Sequence, residues 1–333
     1  SSLKNKISPR PDDSFETWGI KRFGNTLYQL CFGQYSRRVW GISPSRLSVR
    51  LASSKLHKLN LKDVLIKLFG GKGQEQATYW EDFLYPEEGM GVVFENMAAR
   101  IEEEGGEVWK SSFPTGIELE NGRVGAVRVS RDGEERSVPC SGVISTIPLN
   151  DLGMVLKENL SRQAFRSAEN LRNRSLILIN LIINTPRISD AHWVYLLDPY
   201  FKCNRFCEQK NLLTEKKPHL KTMITFELCC AFRDRVWRAD EEELKRLALE
   251  DISRISIIDG RRAGECMIRK VKDAYPIYDL DFQRNLDGLL GDLSRMENFY
   301  TAGRQGLFLN TDMHDSIKSG IRAAAALAEE ISP

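Results

Sequence analysis

One stretch, from Glu297 to Gly320, constrains the fold of this chain more than any other. Phe299 to Ala302 form a short apolar run of strand character, and Gly303 stops it. Gly303 and Gly306 allow the backbone to turn tightly and a ligand to approach it closely. Asp312, Asp315 and Ser316 are candidate N-caps for the helix that follows. That helix is expected to carry Ile317, Ile321, Ala324, Ala325 and Ala328 on one face. Strand, glycine turn and capped helix in this order bring backbone N–H groups and a helix dipole to one place, a setting for an electron-rich ligand. On pattern alone the commoner outcome is a strand–helix unit that only packs, because isolated glycine turns are frequent.

The rest of the chain bounds the answer. At 333 residues it can bury a large core, and two domains are expected. Hydrophobic content of 41% and charged content of 28% are ordinary for a globular protein. A net charge of +2 gives no case for nucleic acid as a partner. The charge is unevenly spread: residues 1–62 carry net +9, leaving −7 on the remainder. A basic lobe of this kind suits an anionic substrate or phosphate, and equally a solvated face or an acidic partner segment. No apolar run approaches the roughly 20 residues a transmembrane helix needs, so no transmembrane segment is expected. The start of the chain lacks the apolar core of a signal peptide. Seven cysteines without paired spacing point to free thiols in a reducing, cytoplasmic setting. Cys203 and Cys207 lack the further ligands of a zinc site, so no metal is expected.

In order, residues 1–14 read as loop, and Phe15 to Tyr35 as short helices broken at Gly19, Gly24 and Gly33. Pro44 stands near the start of another helix, and helical patterns continue through Val64, Leu65 and Leu68. Trp18, Phe23, Tyr28, Phe32 and Trp40 read as core. Gly70-Gly71-Lys72-Gly73 and Gly89-Met90-Gly91 do not complete a dinucleotide fingerprint, because Gln76 and Phe94 stand at the third glycine. A helix follows with Phe94, Met97, Ala98 and Ile101 on one face, ended by Gly105-Gly106. Glu107-Val108-Trp109 is expected to begin a strand. Next comes a meander with hairpin turns at Asn121-Gly122 and Asp132-Gly133. It returns in one strand from Val138 to Ile147, which Pro148 stops. Leu149 to Leu171 read as helical, and Ser175 to Asn184 as a buried strand. Strands at 192–196, 205–206 and 222–227 belong to the same antiparallel sheet. A helix over 237–255 and a strand over 268–271 lead back to the C-terminal stretch.

The C-terminal stretch resembles the flavin-binding signature of the FAD-dependent amine oxidase and protoporphyrinogen oxidase superfamily, whose relatives include UDP-galactopyranose mutase. The match is carried by Gly303, Arg304, Gly306, Phe308, Met313, Ser316, Ile317 and Gly320. His314-Asp315 stands where such relatives more often have Asp-His. Tyr85-Pro86, Gly89-Met90-Gly91 and the Gly105-Gly106 helix end are similar to a second family element. The resemblance runs from about residue 15 to the end. It implies a mixed α/β (α+β) fold, in which an incomplete FAD-binding Rossmann-like domain is interleaved with a mixed-sheet and helical substrate domain. The implied division is a helical substrate-side region over 1–82, an FAD-binding part with the meander over 83–148, a substrate domain with an antiparallel sheet over 149–274, and a C-terminal FAD-binding part over 275–333.

The resemblance further implies FAD as cofactor and a small-molecule substrate. The cofactor-binding positions it implies are Pro114 on the adenine side, where relatives usually have Val, then Thr146, Pro148, Gly303, Arg304, Gly306, Asp312, Met313, Ser316 and Ile317. Arg304 is expected near the FAD phosphates or ribitol, and no catalytic residue is assigned. Family members begin with a βαβ unit bearing the glycine fingerprint for the FAD pyrophosphate. This sequence carries no such fingerprint. The expectation is therefore a fragment, completed by an N-terminal segment or a complementary chain, or else a diverged relative that no longer binds FAD. The implied activity is an FAD-dependent oxidation of a C–N or C–C bond. The alternatives are a flavin-dependent nucleotide-sugar mutase and a degenerate, non-catalytic subunit. His57, His192, His219 and His314 are too scattered to assign.

Overall fold

Ser14 starts the first helix with a reciprocal cap. Its hydroxyl accepts from the Thr17 amide at 3.2 Å, and its own amide donates to the Thr17 hydroxyl at 3.0 Å. The computed structural model describes residues 14–55, 84–213, 220–255 and 259–332. The Gly70–Gly73 loop, the pattern at Val64, Leu65 and Leu68, and His57 and His219 lie outside the described residues.

The first elements are α1 (Phe15–Tyr28), a π-helical turn (Gln29–Gly33), α2 (Gln34–Trp40), α3 (Arg50–Lys55) and α4 (Gly91–Glu103). The meander β1 (Ser112–Glu120), β2 (Arg123–Arg131) and β3 (Glu134–Pro139) precedes β4 (Val143–Ser145), α5 (Leu149–Val155) and α6 (Arg162–Asn170). Then come β5 (Asn173–Ile183), β6 (Trp193–Tyr195), β7 (Arg205–Glu208), β8 (Thr222–Cys230), α7 (Arg235–Arg238), α8 (Glu241–Ile252) and β9 (Ala263–Pro276). The chain closes with α9 (Phe282–Leu293), β10 (Phe299–Thr301), the helical turn α10 (Gly303–Gly306) and α11 (Met313–Ile331). It divides into two units, residues 1–97 with 174–274, and residues 98–173 with 275–333. Residues 149–173, grouped by the sequence with the substrate sheet, fall in the second unit, where α6 packs on α9.

The first unit is built on a five-stranded sheet of order β6-β7-β8-β5-β9. The pairs β6–β7, β7–β8 and β8–β5 are antiparallel. Alternation along β5 buries Ile177, Ile179, Leu181 and Ile183 on one face, with Phe206, Ile224, Phe226 and Leu228 from the neighbouring strands. Leu244, Ala248 and Ile252 of α8 complete that layer. Each such side chain contributes about 1.5–3 kcal/mol on leaving water. At the other end of the unit the expected aromatic core forms: Trp18, Phe23, Tyr28 and Trp40 are buried, and Phe32 stacks on Phe23 at 5.1 Å. The break expected at Gly19 is absent. Gly19 lies inside α1 and is small because the Tyr28 ring would sit 2.4 Å from a Cβ there. Gly24 does break the helix, with φ 76.

The second unit contains the meander, a two-stranded parallel pair and helices α5, α6, α9 and α11. Three sequence expectations fail here. Residues 107–109 form no strand; the ladder starts at Ser112, the first position that has a partner, Arg131. The run from Val138 to Ile147 is two strands. β3 pairs with β2, whereas β4 leaves the meander and pairs parallel with β10. In α11 the face with Ile317 and Ile321 is exposed, and the side facing inward carries Ala323. That side packs on β10 and β4, where Leu327 reaches the Cα of Gly142 and only small neighbours fit. The apolar face expected on α4 exists but is uncovered: Phe94, Met97 and Ile101 are about half exposed.

Candidate functional site

Two parallel strands end side by side in the second unit. Phe299, Tyr300 and Thr301 pair with Val143, Ile144 and Ser145, and the Ala302 amide donates to the Ser145 carbonyl at 2.9 Å. Ligands of open α/β sheets bind beyond such carboxyl ends. Gly303 follows with φ 77, a region that favours glycine, and the space a Cβ would take is open. Its amide donates to Ser319 Oγ at 2.8 Å, which ties the turn to α11. Gly306 is required by closeness: a Cβ there would lie 2.7 Å from the Ser145 carbonyl oxygen and 3.3 Å from Thr146 Cα.

The loop after the turn is held from below and from the side. Tyr278 donates its hydroxyl to the Phe308 carbonyl at 3.2 Å and accepts from the Asn310 amide at 3.0 Å. Its ring stacks on Phe282 at 4.3 Å. Arg304 donates through Nε to the Thr311 carbonyl at 3.0 Å and through Nη2 to the same oxygen. The Arg304 guanidinium lies 5.6 Å from the centre of the Tyr275 ring. The helix α11 then begins at Asp312, which has N-cap geometry but no side-chain bond to the helix. No capping hydrogen bond satisfies this end, whose dipole favours negative charge, and the Asp312 and Asp315 carboxylates stand beside it. Ser316 Oγ donates back to the Asp312 carbonyl at 3.2 Å. Met313 and Ile317, one turn apart, are exposed on α11.

Of the positions inferred from sequence, Gly303, Arg304, Gly306, Asp312, Met313, Ser316 and Ile317 fall on this one turn-and-helix segment, and Thr146 ends the strand beside it. Pro148 is the N-cap of α5, two residues further on. Pro114 is in the meander, paired with Val129, in a different sheet from β4 and β10. The open space at Gly303 and the uncapped α11 fit a flat, electron-rich group such as a flavin. Sequence reasoning missed Asn298, whose side chain locks β10 in place. Its Oδ1 accepts from the Val124 amide at 2.8 Å, and its Nδ2 donates to the carbonyls of Val124 and Ser141 at 2.9 and 2.6 Å. An asparagine directly before an apolar strand is its only sequence signal.

The first unit has a cavity of its own, about 480 Å³, over the sheet face opposite the core. Tyr85, Gly89, Ile182, Gln209 and Met223 are among its walls, with two lysines, Lys210 and Lys221, set against two carboxylates, Glu87 and Glu88. On the same face, hydrogen bonds link Gln209 to Thr225, Thr225 to Asn180 and Asn180 to the Met267 carbonyl, at 3.4, 2.7 and 3.1 Å. Arg205 and Glu227 pair at 2.8 Å on this face. Burial pushes the Cys207 thiol up to about 11, so it is neutral at physiological pH. Among the described residues no group of acidic, His or Cys side chains could hold a metal ion.

The family model described as flavin containing amine oxidoreductase matches residues 4–328. No curated protein matches the chain significantly. Among solved structures the chain is similar to a reduced UDP-galactopyranose mutase, at 14% identity and a TM-score of 0.78, over 98% of this chain and 70% of that one. It is similar to a candidate protoporphyrinogen oxidase from Exiguobacterium sp. 255-15, at 15% identity and a TM-score of 0.68, over 98% and 71%. A putrescine oxidase redesigned for cofactor binding gives 14% identity and a TM-score of 0.65, over 96% and 70%. At these identities the likeness is one of fold.

Proposed function

Because the chain belongs to the flavin-containing amine oxidoreductase family, we propose that it is an FAD-dependent oxidoreductase that oxidises a C–N or C–C bond of a small molecule. The observation that carries this reading is Gly303, with its open side at the paired ends of β4 and β10. A bound flavin supplies the redox chemistry that side chains lack. The chain's own residues hold and orient. Gly303 leaves a backbone surface without Cβ obstruction next to Thr146, Gly306 lets the turn close on Ser145, and the start of α11, near Ser316, favours negative charge against the repulsion of the Asp312 and Asp315 carboxylates. Met313 and Ile317 supply apolar cover that excludes water. Arg304 acts on this surface by fixing the Thr311 carbonyl, and with it the start of the helix. Pro148 stands two residues beyond Thr146, and Pro114, in the meander, is assigned to the adenine side. The cavity over the open sheet face takes the substrate, with Gln209, held by Thr225, in its polar wall. The free cysteines suit a reducing, cytoplasmic location.

The sequence has no G-x-G-x-x-G for the pyrophosphate, and we assign that part of the cofactor to an N-terminal segment or a complementary chain. The test is an FAD titration followed by flavin fluorescence, with oxygen uptake measured on a panel of amines. In the protein completed by that segment or chain, Gly303→Leu is expected to abolish flavin binding. Arg304→Ala is expected to weaken it by about 1.5–3 kcal/mol, the range for hydrogen bonds to a charged group. Wild-type affinity in both variants would remove the turn as the flavin site. Flavin binding without oxygen uptake would favour non-redox chemistry.

A further inference from the structure

A second cavity in the first unit, about 720 Å³, opens among α2, the start of β5, the 199–202 loop, the end of β8, and α7 and α8. Six cationic side chains line it against three carboxylates. The carboxylates are already engaged. Asp234 accepts from the Trp237 and Ala231 amides at 2.7 and 2.8 Å, Glu243 pairs with Arg235 at 3.4 Å, and Glu250 pairs with Arg246. Two of the cations have no carboxylate within ion-pair distance among the described residues. Arg38 is held by the carbonyls of Asp198, Phe201 and Leu196. Arg174 donates to those of Val39, Arg38 and Cys229. Carbonyls fix these guanidinium groups without neutralising them; Asp251 and Asp198 act on Arg38 only from beyond ion-pair distance, and a guanidinium keeps its proton even where burial opposes the charge. A cleft with low-dielectric walls focuses such a field. Arg37 and Lys202 add two exposed cations at the same cavity.

The other walls are apolar: Leu228, Val236, Ala239 and Leu247. Cys229 and Cys230 join them, since burial raises both thiols to about 12 and keeps them neutral. The volume lies within the range of small-molecule sites, about 300–1,000 Å³. We propose that this cleft binds a phosphorylated small molecule of nucleotide size, with its phosphates at Arg37 and Lys202 above Arg38 and Arg174 and its apolar body against Leu228, Val236 and Leu247. The site is separate in its residues from the glycine turn and stands whether or not that turn holds a flavin.

ADP, inorganic pyrophosphate and adenosine are the probes, followed by titration calorimetry at two salt concentrations and by hydrogen exchange. ADP is expected to bind, more weakly at high salt, and to protect peptides covering 199–202 and 228–247. Adenosine is expected to give no heat, and pyrophosphate to bind more weakly than ADP. Arg37→Glu with Lys202→Glu is expected to weaken ADP at least about tenfold. Arg37→Gln with Lys202→Gln serves if the reversed pair lowers Tm. The proposal falls if ADP does not bind, if both double variants bind it as the wild type does, or if protection appears elsewhere. Pyrophosphate binding as tightly as ADP would overturn it too, by removing the apolar body.

Discussion

Asn298 sits at φ 51 with only 2% of its surface exposed, and its side chain closes three main-chain hydrogen bonds to Val124 and Ser141. Asparagine tolerates this left-handed conformation better than most residues. Asn298→Ala strands one buried N–H and two carbonyls, so we expect a loss of about 3 kcal/mol in urea unfolding. Asn298→Asp keeps the backbone preference but sets a buried carboxylate oxygen against the carbonyls of Val124 and Ser141, and is expected to lose at least as much. The thiols give a second prediction at this scale. Burial raises the Cys203, Cys229 and Cys230 thiols above their ordinary value. A raised thiol stays protonated as pH rises past 8, the usual titration range near 8.5, and a protonated thiol is a poor nucleophile. Mass spectrometry after iodoacetamide at pH 8 should find these three unmodified until denaturant is added. Gly303 and Gly306 were legible in the sequence because a motif singled them out. Asn298 was not, because its role depends on a backbone angle and on partners in the meander.

Among elements, the meander was the most legible. Its turns Asn121–Gly122 and Asp132–Gly133 have positive φ at both residues, the two-residue geometry that those dipeptides favour. The division of β3 from β4 was not legible, because Cys140, Ser141 and Gly142 interrupt the apolar run too briefly to signal a change of sheet. The helix α11 has two apolar stripes, and periodicity alone does not choose between them. Ile317 and Ile321 suggested the inward face, but the stripe with Ala323 and Leu327 fits against the strands because Gly142 leaves room for Leu327 where the backbone comes close. Leu327→Ala should therefore cost about 1–2 kcal/mol. Ile321→Ala should stay within about 0.5 kcal/mol. Equal losses in paired urea melts would mean that the packed face has been misassigned. The five-stranded sheet was legible strand by strand. Its longest edge member, β9, was read as four residues, since its alternating charges hide a strand.

At the scale of the molecule, each unit is assembled from two separate stretches of chain. The first draws its sheet mostly from one continuous stretch, β5 through β9, whereas the second needs β10 and α11 from the end of the chain to complete what β4 begins. A chain ending at residue 274 should keep slow hydrogen exchange in β5, β7 and β8, and show fast exchange across 98–173. Protection of β4 in that truncation would contradict the assembly described. Interleaving of this kind was suggested in the sequence only by resemblance, because no local pattern says that Val143 will lie beside Phe299. The same pairing sets a timetable during synthesis. At about 5–20 residues per second, β4 emerges roughly ten to thirty seconds before its partner is made. For that interval every nascent chain carries an unmated strand edge, the kind of surface that chaperones shield and that neighbouring nascent chains can capture.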